Sequence, residues 1–343
     1  EAQFTYHVQE SETDNYQAES FGEDRTLALH GTNPFESDLN LAALEVTANL
    51  GFATLTSSTS YYEQTTETRV DASGIYEDFF SYYYFYYPRI STQSDYRATD
   101  DTFVQELRLA SNTEGRIEWI AGAFYLDQEL QFDTYQNMPG FEEWFDASDL
   151  AAYFGIPVPI TTPPDLVYQQ NRSTTFKELA FFGEVTFNIS DAWQVTGGVR
   201  VFEQKIGNDE ASILPMCYLI NEIGFGAGFY CGMPPLGGAA TLTSDDVDDS
   251  AFKLNTSYAL NERTNLYATW SQGFRNGGVN ALPTVGFIDE TLGGTFPNIN
   301  QFSADKVDNY EVGVKGFLSD NALRYSLALY HNDWQDPQAR ITG

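Results

Sequence analysis

The stretch VDDSAFKLNTSYALNERTNLYATWSQGFRNGG, residues 247 to 278, holds one complete structural unit and decides how the rest of the chain is read. From Phe252 the even positions carry Phe252, Leu254, Thr256, Tyr258 and Leu260, and the odd ones carry Lys253, Asn255, Ser257 and Ala259. A period of two is that of a β-strand with one apolar and one polar face. After the tight polar turn Asn261-Glu262-Arg263, alternation resumes with Leu266, Ala268, Trp270 and Phe274 against Asn265, Tyr267, Thr269 and Ser271. The segment reads as a β-hairpin that runs into a long loop rich in Gly and Pro.

Similar units recur on both sides of it. Phe4, Tyr6 and Val8 alternate with Thr5, His7 and Gln9 at the end of a first strand, and a polar segment of about thirty residues follows. Strands are predicted over 40–50 and 52–70, joined at Asn49-Leu50-Gly51, and over 101–110 and 116–133, joined by Ser111 to Gly115. Between these pairs, 71–95 is strongly aromatic. Residues 134–171 contain five prolines and a possible short helix, EEWFDASDLAAYF, before a hairpin at 174–187 and 193–206 in which Trp193, Val195, Val199 and Val201 share a face. A Gly-, Pro- and Asp-rich loop is expected at 207–246 and another loop at 276–304. The last strands are expected at 305–318 and 322–335, where Leu323, Tyr325, Leu327 and Leu329 alternate with Arg324, Ser326 and Ala328.

About eleven strands result, joined alternately by turns of three to five residues and by loops of about 25 to 40, lengths uncommon inside compact soluble domains. Strict alternation puts all the turns at one end of an up-and-down antiparallel sheet and all the loops at the other, the pattern of an outer-membrane barrel with periplasmic turns and extracellular loops. Many strands exceed the usual five or six residues, and tilted strands crossing a bilayer need about 9 to 11. A soluble β-sandwich is the alternative, but it needs turn signals every 8 to 12 residues or so.

The totals agree with this reading. There are 17 basic and 49 acidic residues in 343, a formal charge of -32. Nucleic acid is excluded as a partner, because binding it requires a basic footprint. Aromatics make up 15% of the chain, with 22 Tyr and 26 Phe, which suit pleated surfaces and membrane interfaces. No apolar run approaches the roughly 18 residues of a membrane-spanning helix, whereas a barrel strand leaves average hydropathy polar. The chain opens on Glu1 with no signal peptide, so a processed chain or a fragment is expected.

Four stretches in register resemble TonB-dependent outer-membrane receptors: YATWSQGFRNGGVN at 267–280, FVQELRLAS at 103–111 followed by IEWIAGAFY, ADKVDNYEVGVKGFL at 304–318, and ALYHNDWQDPQ at 328–338. The resemblance implies a 22-stranded barrel with an N-terminal plug, opened through contact with the inner-membrane TonB complex and driven by the proton-motive force. Residues 1–343 then correspond to a central part of the barrel domain, about 11 of the 22 strands, without the plug, the TonB-contacting peptide or the closing strands. Two unpaired edges are expected.

Candidate sites follow from chemistry and placement. Tyr82, Tyr83, Tyr84, Tyr86 and Tyr87, with Phe79, Phe80 and Phe85, form either a ligand platform at the external mouth or an interfacial and loop-packing cluster. Arg275, near the same rim, is a candidate substrate contact. Glu106, Arg108, Arg200, Lys253, Asn255, Glu311, Lys315 and Arg324 lie on polar faces and are expected to point into the lumen, pairing with one another and with the plug, because an Arg or Lys facing mid-bilayer costs about 2 to 4 kcal/mol. Cys217 and Cys231 are read as a loop disulfide, worth roughly 3 kcal/mol on the chain-entropy model, with a redox or metal pair as the alternative.

Gly273, Gly277 and Gly278 are expected to serve turn geometry rather than binding. The run Ser244 to Asp249 is expected to be a solvated loop edge rather than a calcium loop. His7, His30 and His331 fall on different elements and suggest no metal site. No cofactor and no catalytic constellation is indicated. The resemblance implies active import of a scarce nutrient, an iron-siderophore complex foremost, with outer-membrane lipid, the TonB complex and a small-molecule ligand as partners. A passive porin, a surface adhesin or a soluble carbohydrate-binding β protein are the alternatives.

Overall fold

A computed structural model describes residues 1–15, 31–73, 91–112, 115–147, 152, 164–213, 241–279, 301–318 and 322–338. The strands are β1 (Ala2–Thr13), β2 (Phe35–Asn49), β3 (Ala53–Asp71), β4 (Gln93–Ser111), β5 (Ile117–Asn137), β6 (Leu166–Ser190), β7 (Trp193–Ile213), β8 (Thr241–Asn261), β9 (Thr264–Arg275), β10 (Gly278–Val279), β11 (Gln301–Phe302), β12 (Asp305–Leu318) and β13 (Leu323–Gln335). A short helix, α1 (Phe141–Ala147), lies between β5 and β6 and overlaps the start of the helix expected there. Eleven strands form one sheet in the order β1-β2-β3-β4-β5-β6-β7-β8-β9-β12-β13. All neighbours are antiparallel, while β10 and β11 pair as a separate ribbon. Among the described residues β1 and β13 are paired on one side only.

Short turns follow β2, β4, β6, β8 and β12, and long connections follow β1, β3, β5, β7 and β9, so turns share one end and loops the other. Local chemistry tightens the turns. Asn49 Oδ1 accepts the Gly51 N–H at 2.8 Å, with Gly51 at φ +89°, and Asn261 Oδ1 accepts the Arg263 N–H at 2.9 Å.

The ladders carry one face across the whole sheet. Phe4 pairs with Leu44, Tyr61 with Phe103, Phe181 with Val201, Leu254 with Trp270, and Val312 with Leu329, all on that face. Most of its large apolar side chains are exposed, Phe4 at 68% and Leu329 at 70%. So extended an apolar surface is unstable in water but suits hydrocarbon.

On several strands the run on this face is sharply bounded, as in Ile117 to Tyr125, Trp193 to Val201 and Phe252 to Leu260, although Ser57, Thr59 and Gln105 interrupt it on β3 and β4. Each covers roughly nine positions, close to what a tilted membrane-crossing strand needs. At the next same-face position toward the loops stand Glu63 after Tyr61, Asp101 after Phe103, Asp127 after Tyr125, Lys177 after Leu179 and Glu203 after Val201. From that line onward ion pairs cover the same face: Lys177–Asp127 at 2.9 Å on it, and Arg97–Glu67 at 2.9 Å and Arg69–Asp95 at 2.6 Å beyond it.

The strands therefore continue past the apolar band, which corrects the predicted boundaries. β6 has 25 residues where 174–187 was expected, β7 runs on to Ile213, and β8 begins at Thr241. The stretch Ser244 to Asp249 is consequently strand, not loop edge, and 207–213 and 241–246 leave the expected loop. Above the band polar residues stand on both faces among scattered apolar ones, so the alternation that marks a strand disappears although the ladder continues.

A second correction concerns Phe274. β9 stays paired with β8 only as far as Ser271, opposite Lys253, while β8 runs on toward the loops. Past that point the Phe274 ring stacks on Phe202 of β7 at 4.4 Å, and Lys306 Nζ reaches Asp249 of β8 at 2.7 Å. Phe202 and Asp249 pair with each other on the polar face. The sheet thus curls with its polar face inside, and Phe274 leaves the apolar surface for the inner wall. Met138, Phe141, Leu166, Val167, Phe202 and Ile206 are buried at this loop-side end.

Candidate functional site: the inner wall and its loop-side mouth

Register places Glu106, Arg108, Arg200, Lys253, Asn255, Glu311, Lys315 and Arg324 on the inner face. Most are held by neighbours across the strands. Arg200 pairs with Glu178 and lies 5.1 Å over the Phe124 ring. Lys253 Nζ meets Glu184 Oε2 at 2.9 Å, Arg108 Nη1 lies 4.0 Å from Glu106 Oε1, and Asn255 Nδ2 donates to Thr269 Oγ1 at 2.6 Å. Tyr267 Oη donates to Glu311 Oε1 at 2.5 Å, and Lys315 Nζ sits 5.5 Å over the same tyrosine ring. Arg324 lies opposite Phe317, nearest the turns, and is exposed.

The Tyr267 ring owes its position to Gly313 across the ladder. A Cβ at Gly313 would lie 2.6 Å from the ring atoms, so only glycine lets the tyrosine lie flat on the strand and reach Glu311. Gly122 does the same for Phe182. Gly277 and Gly278 are also explained by close approach rather than by the expected turn geometry: neither has a positive φ, and their added Cβ atoms would meet Phe302.

At the mouth, the segments around Arg275, Asp305 and Trp334 converge on one knot. Asp305 is 2% exposed and accepts from Arg275 Nε at 2.9 Å, Trp334 Nε1 at 3.0 Å and the Gln338 backbone N–H at 3.2 Å. Arg275 also donates through Nη2 to Asp305 and lies 5.0 Å over the Trp334 ring. Gln338 Nε2 donates to Asn276 O at 2.8 Å and Ser303 O at 3.0 Å, tying the base of the β9–β12 connection to the end of β13. The Arg275 donors hold the Asp305 carboxyl well below its ordinary range, against a burial effect that acts to raise it, and the same contact raises the Arg275 guanidinium. Beside the knot, Gln204 Nε2 donates to Glu178 Oε2 at 2.7 Å and to Asn276 Oδ1 at 3.0 Å, fastening the loop base to β6 and β7.

The tyrosine cluster Tyr82, Tyr83, Tyr84, Tyr86 and Tyr87 and both cysteines, Cys217 and Cys231, lie outside the described residues. His7 is on β1 and His331 on β13, at opposite edges of the sheet, and His30 is outside the described residues. Asp305, Trp334 and Glu178 were not singled out from sequence. Their role depends on distant partners, and the one signal was that Arg275, Asp305 and Trp334 each fall inside a motif stretch.

Comparison with known proteins follows the same geometry. Residues 3–343 match the family model "TonB dependent receptor-like, beta-barrel". The pesticin receptor of Yersinia enterocolitica is 23% identical over 229 residues, which are 66% of this chain and 26% of that protein. Among solved structures, the ferric yersiniabactin uptake receptor FyuA from Yersinia pestis aligns with a TM-score of 0.69 at 14% identity, over 98% of this chain and 43% of that one. The siderophore receptor PiuA from Acinetobacter baumannii aligns with a TM-score of 0.58 at 13% identity, over 96% of this chain and 47% of that one. The ferric-catecholate import receptor Fiu from E. coli K12 gives 0.56 at 15% identity, over 98% and 49%. The chain spans about a quarter of the curated relative's length and less than half of each solved receptor.

Proposed function

Since this chain belongs to the TonB-dependent receptor-like β-barrel family, we propose that it is the central barrel wall of an outer-membrane transporter that imports a ferric siderophore, energised through TonB. Transport, not catalysis, is the activity. The observation that carries the reading is the two-faced sheet: a bounded apolar band on one side, and on the other a continuous polar wall of cross-strand ion pairs and hydrogen bonds. Such a wall suits a wet or plugged interior, and the names of the similar receptors supply the cargo class. The loops face the cell exterior and capture the chelate. Glu106, Arg108, Arg200, Lys253, Asn255, Glu311, Lys315 and Arg324 line the lumen, and the tyrosines at 82–87 serve at the mouth. The apolar band sets aside the soluble carbohydrate-binding alternative.

The test is a deletion strain grown on single iron, cobalamin or glycan sources. Expected is lost growth and lost radioactive iron uptake on a ferric siderophore, reproduced in the intact strain by removing TonB or by an uncoupler. Lost growth on a glycan with normal use of chelated iron overturns the cargo, and uptake insensitive to TonB and uncoupler returns the passive-porin reading.

A further inference from the structure

At the loop-side end of the inner wall one cation differs from its neighbours, whereas Lys315 and Arg324, which also make no ion pair among the described residues, lie toward the turns. Arg200, Lys253, Arg275 and Lys306 each contact a carboxylate, of Glu178, Glu184, Asp305 and Asp249 respectively. Arg172 does not: among the described residues it makes no ion pair, although acids outnumber bases 49 to 17 in this chain. Register sets it across from Glu210, but that carboxylate is 3% exposed and its Oε1 accepts Gln170 Nε2 at 2.6 Å. Instead the Arg172 guanidinium carbon lies 5.3 Å over the Phe132 ring, and Phe132 in turn packs against Tyr96 at 5.9 Å. Ala98, a small residue, stands opposite Phe132. The patch lies on the inner face, loopward of Lys177 and so above the apolar band, and Arg172 is exposed there. Nearby, Thr134 Oγ1 and Ser94 Oγ are buried with no hydrogen-bond partner among the described residues, on the same face as Tyr96.

We propose that Arg172, held over the Phe132 ring beside Tyr96, receives the anionic edge of the imported chelate at the loop-side mouth of the inner wall. The inference rests on the uptake reading above and narrows it to an anionic chelate with carboxylate or phenolate oxygens. The ring holds the cation by its π face without using up its N–H donors, which are then free to give two parallel bonds to a planar oxyanion. The chain's net charge of -32 repels anions from the mouth, so a local unpaired cation is needed to admit one. Lysine cannot substitute, because an ammonium lacks both the fork and the stacking plane.

The experiment uses the full-length gene product in detergent, with chelate binding read by tryptophan quenching. The probes are ferric citrate and ferric tris(2,3-dihydroxybenzoate), both anionic, and ferrichrome, which is uncharged. The variants are Arg172→Gln, Arg172→Lys and, as a control on the outer face, Arg69→Gln, each checked for native heat-modifiable mobility. Expected is a tenfold or greater rise in Kd for the bound anionic chelate in both Arg172 variants and no change in Arg69→Gln. Unchanged binding in Arg172→Gln, an equal loss in Arg69→Gln, or a wild type that binds ferrichrome alone overturns the inference and leaves uptake standing. A wild type that binds none of the three probes defeats the uptake reading and this inference with it.

Discussion

Asp305 shows how a single residue joins three segments that the sequence leaves far apart. Its carboxylate is depressed, so its contribution to stability is present above the ordinary carboxylate range and is lost as pH falls toward the folded-state value. Below about pH 4 the melting temperature should therefore fall with pH, a dependence that Asp305→Asn weakens while lowering the melting temperature by several degrees at neutral pH. The Gly313 contact gives a second residue-level prediction. Gly313→Val must displace the Tyr267 ring and cost roughly 1 to 3 kcal/mol, the usual penalty for overpacking. Denaturant unfolding of that variant measures it, and Gly273→Ala, with nothing near its added Cβ, should unfold like the wild type.

At the scale of the strand, burial no longer distinguishes the two faces as it does in a soluble protein; the solvent on each side does. Leu254→Arg places a charge in the middle of the apolar band and should cost about 2 to 4 kcal/mol of folding into lipid vesicles. Asn255→Arg, one residue along and on the inner face, should cost under about 1 kcal/mol; equal losses would mean that the faces have been assigned wrongly. The strands were legible where lipid imposes alternation, as in Phe252 to Leu260, and illegible where it does not. The extra turns of ladder in β6, β7 and β8 have polar residues on both faces, and backbone hydrogen bonding alone leaves no period in the side chains. Phe274 marks the converse failure. Its parity was read correctly within β9, but the departure of β9 from β8 carries it to the other side of the wall.

For the whole molecule, direction across the membrane is the testable consequence of turns at one end and loops at the other. An epitope inserted between Glu262 and Arg263 should be hidden in intact cells and revealed only on permeabilisation, whereas one inserted in 280–300 should be detected on intact cells. The reverse pattern would invert the proposed orientation.

Composition, the period of two and the alternation of short and long connections determined by themselves that this chain forms an up-and-down antiparallel sheet with one lipid-compatible face. Those are local or next-neighbour properties, and they are written in the order of the residues. Only the tertiary structure decided that Arg275 spends its guanidinium on Asp305 and Trp334, that the strands outlast the apolar band, and that Arg172 meets no carboxylate among the described residues. Which charge finds a partner depends on ladder register and on the inward curl of the sheet, and both bring together residues dozens of positions apart.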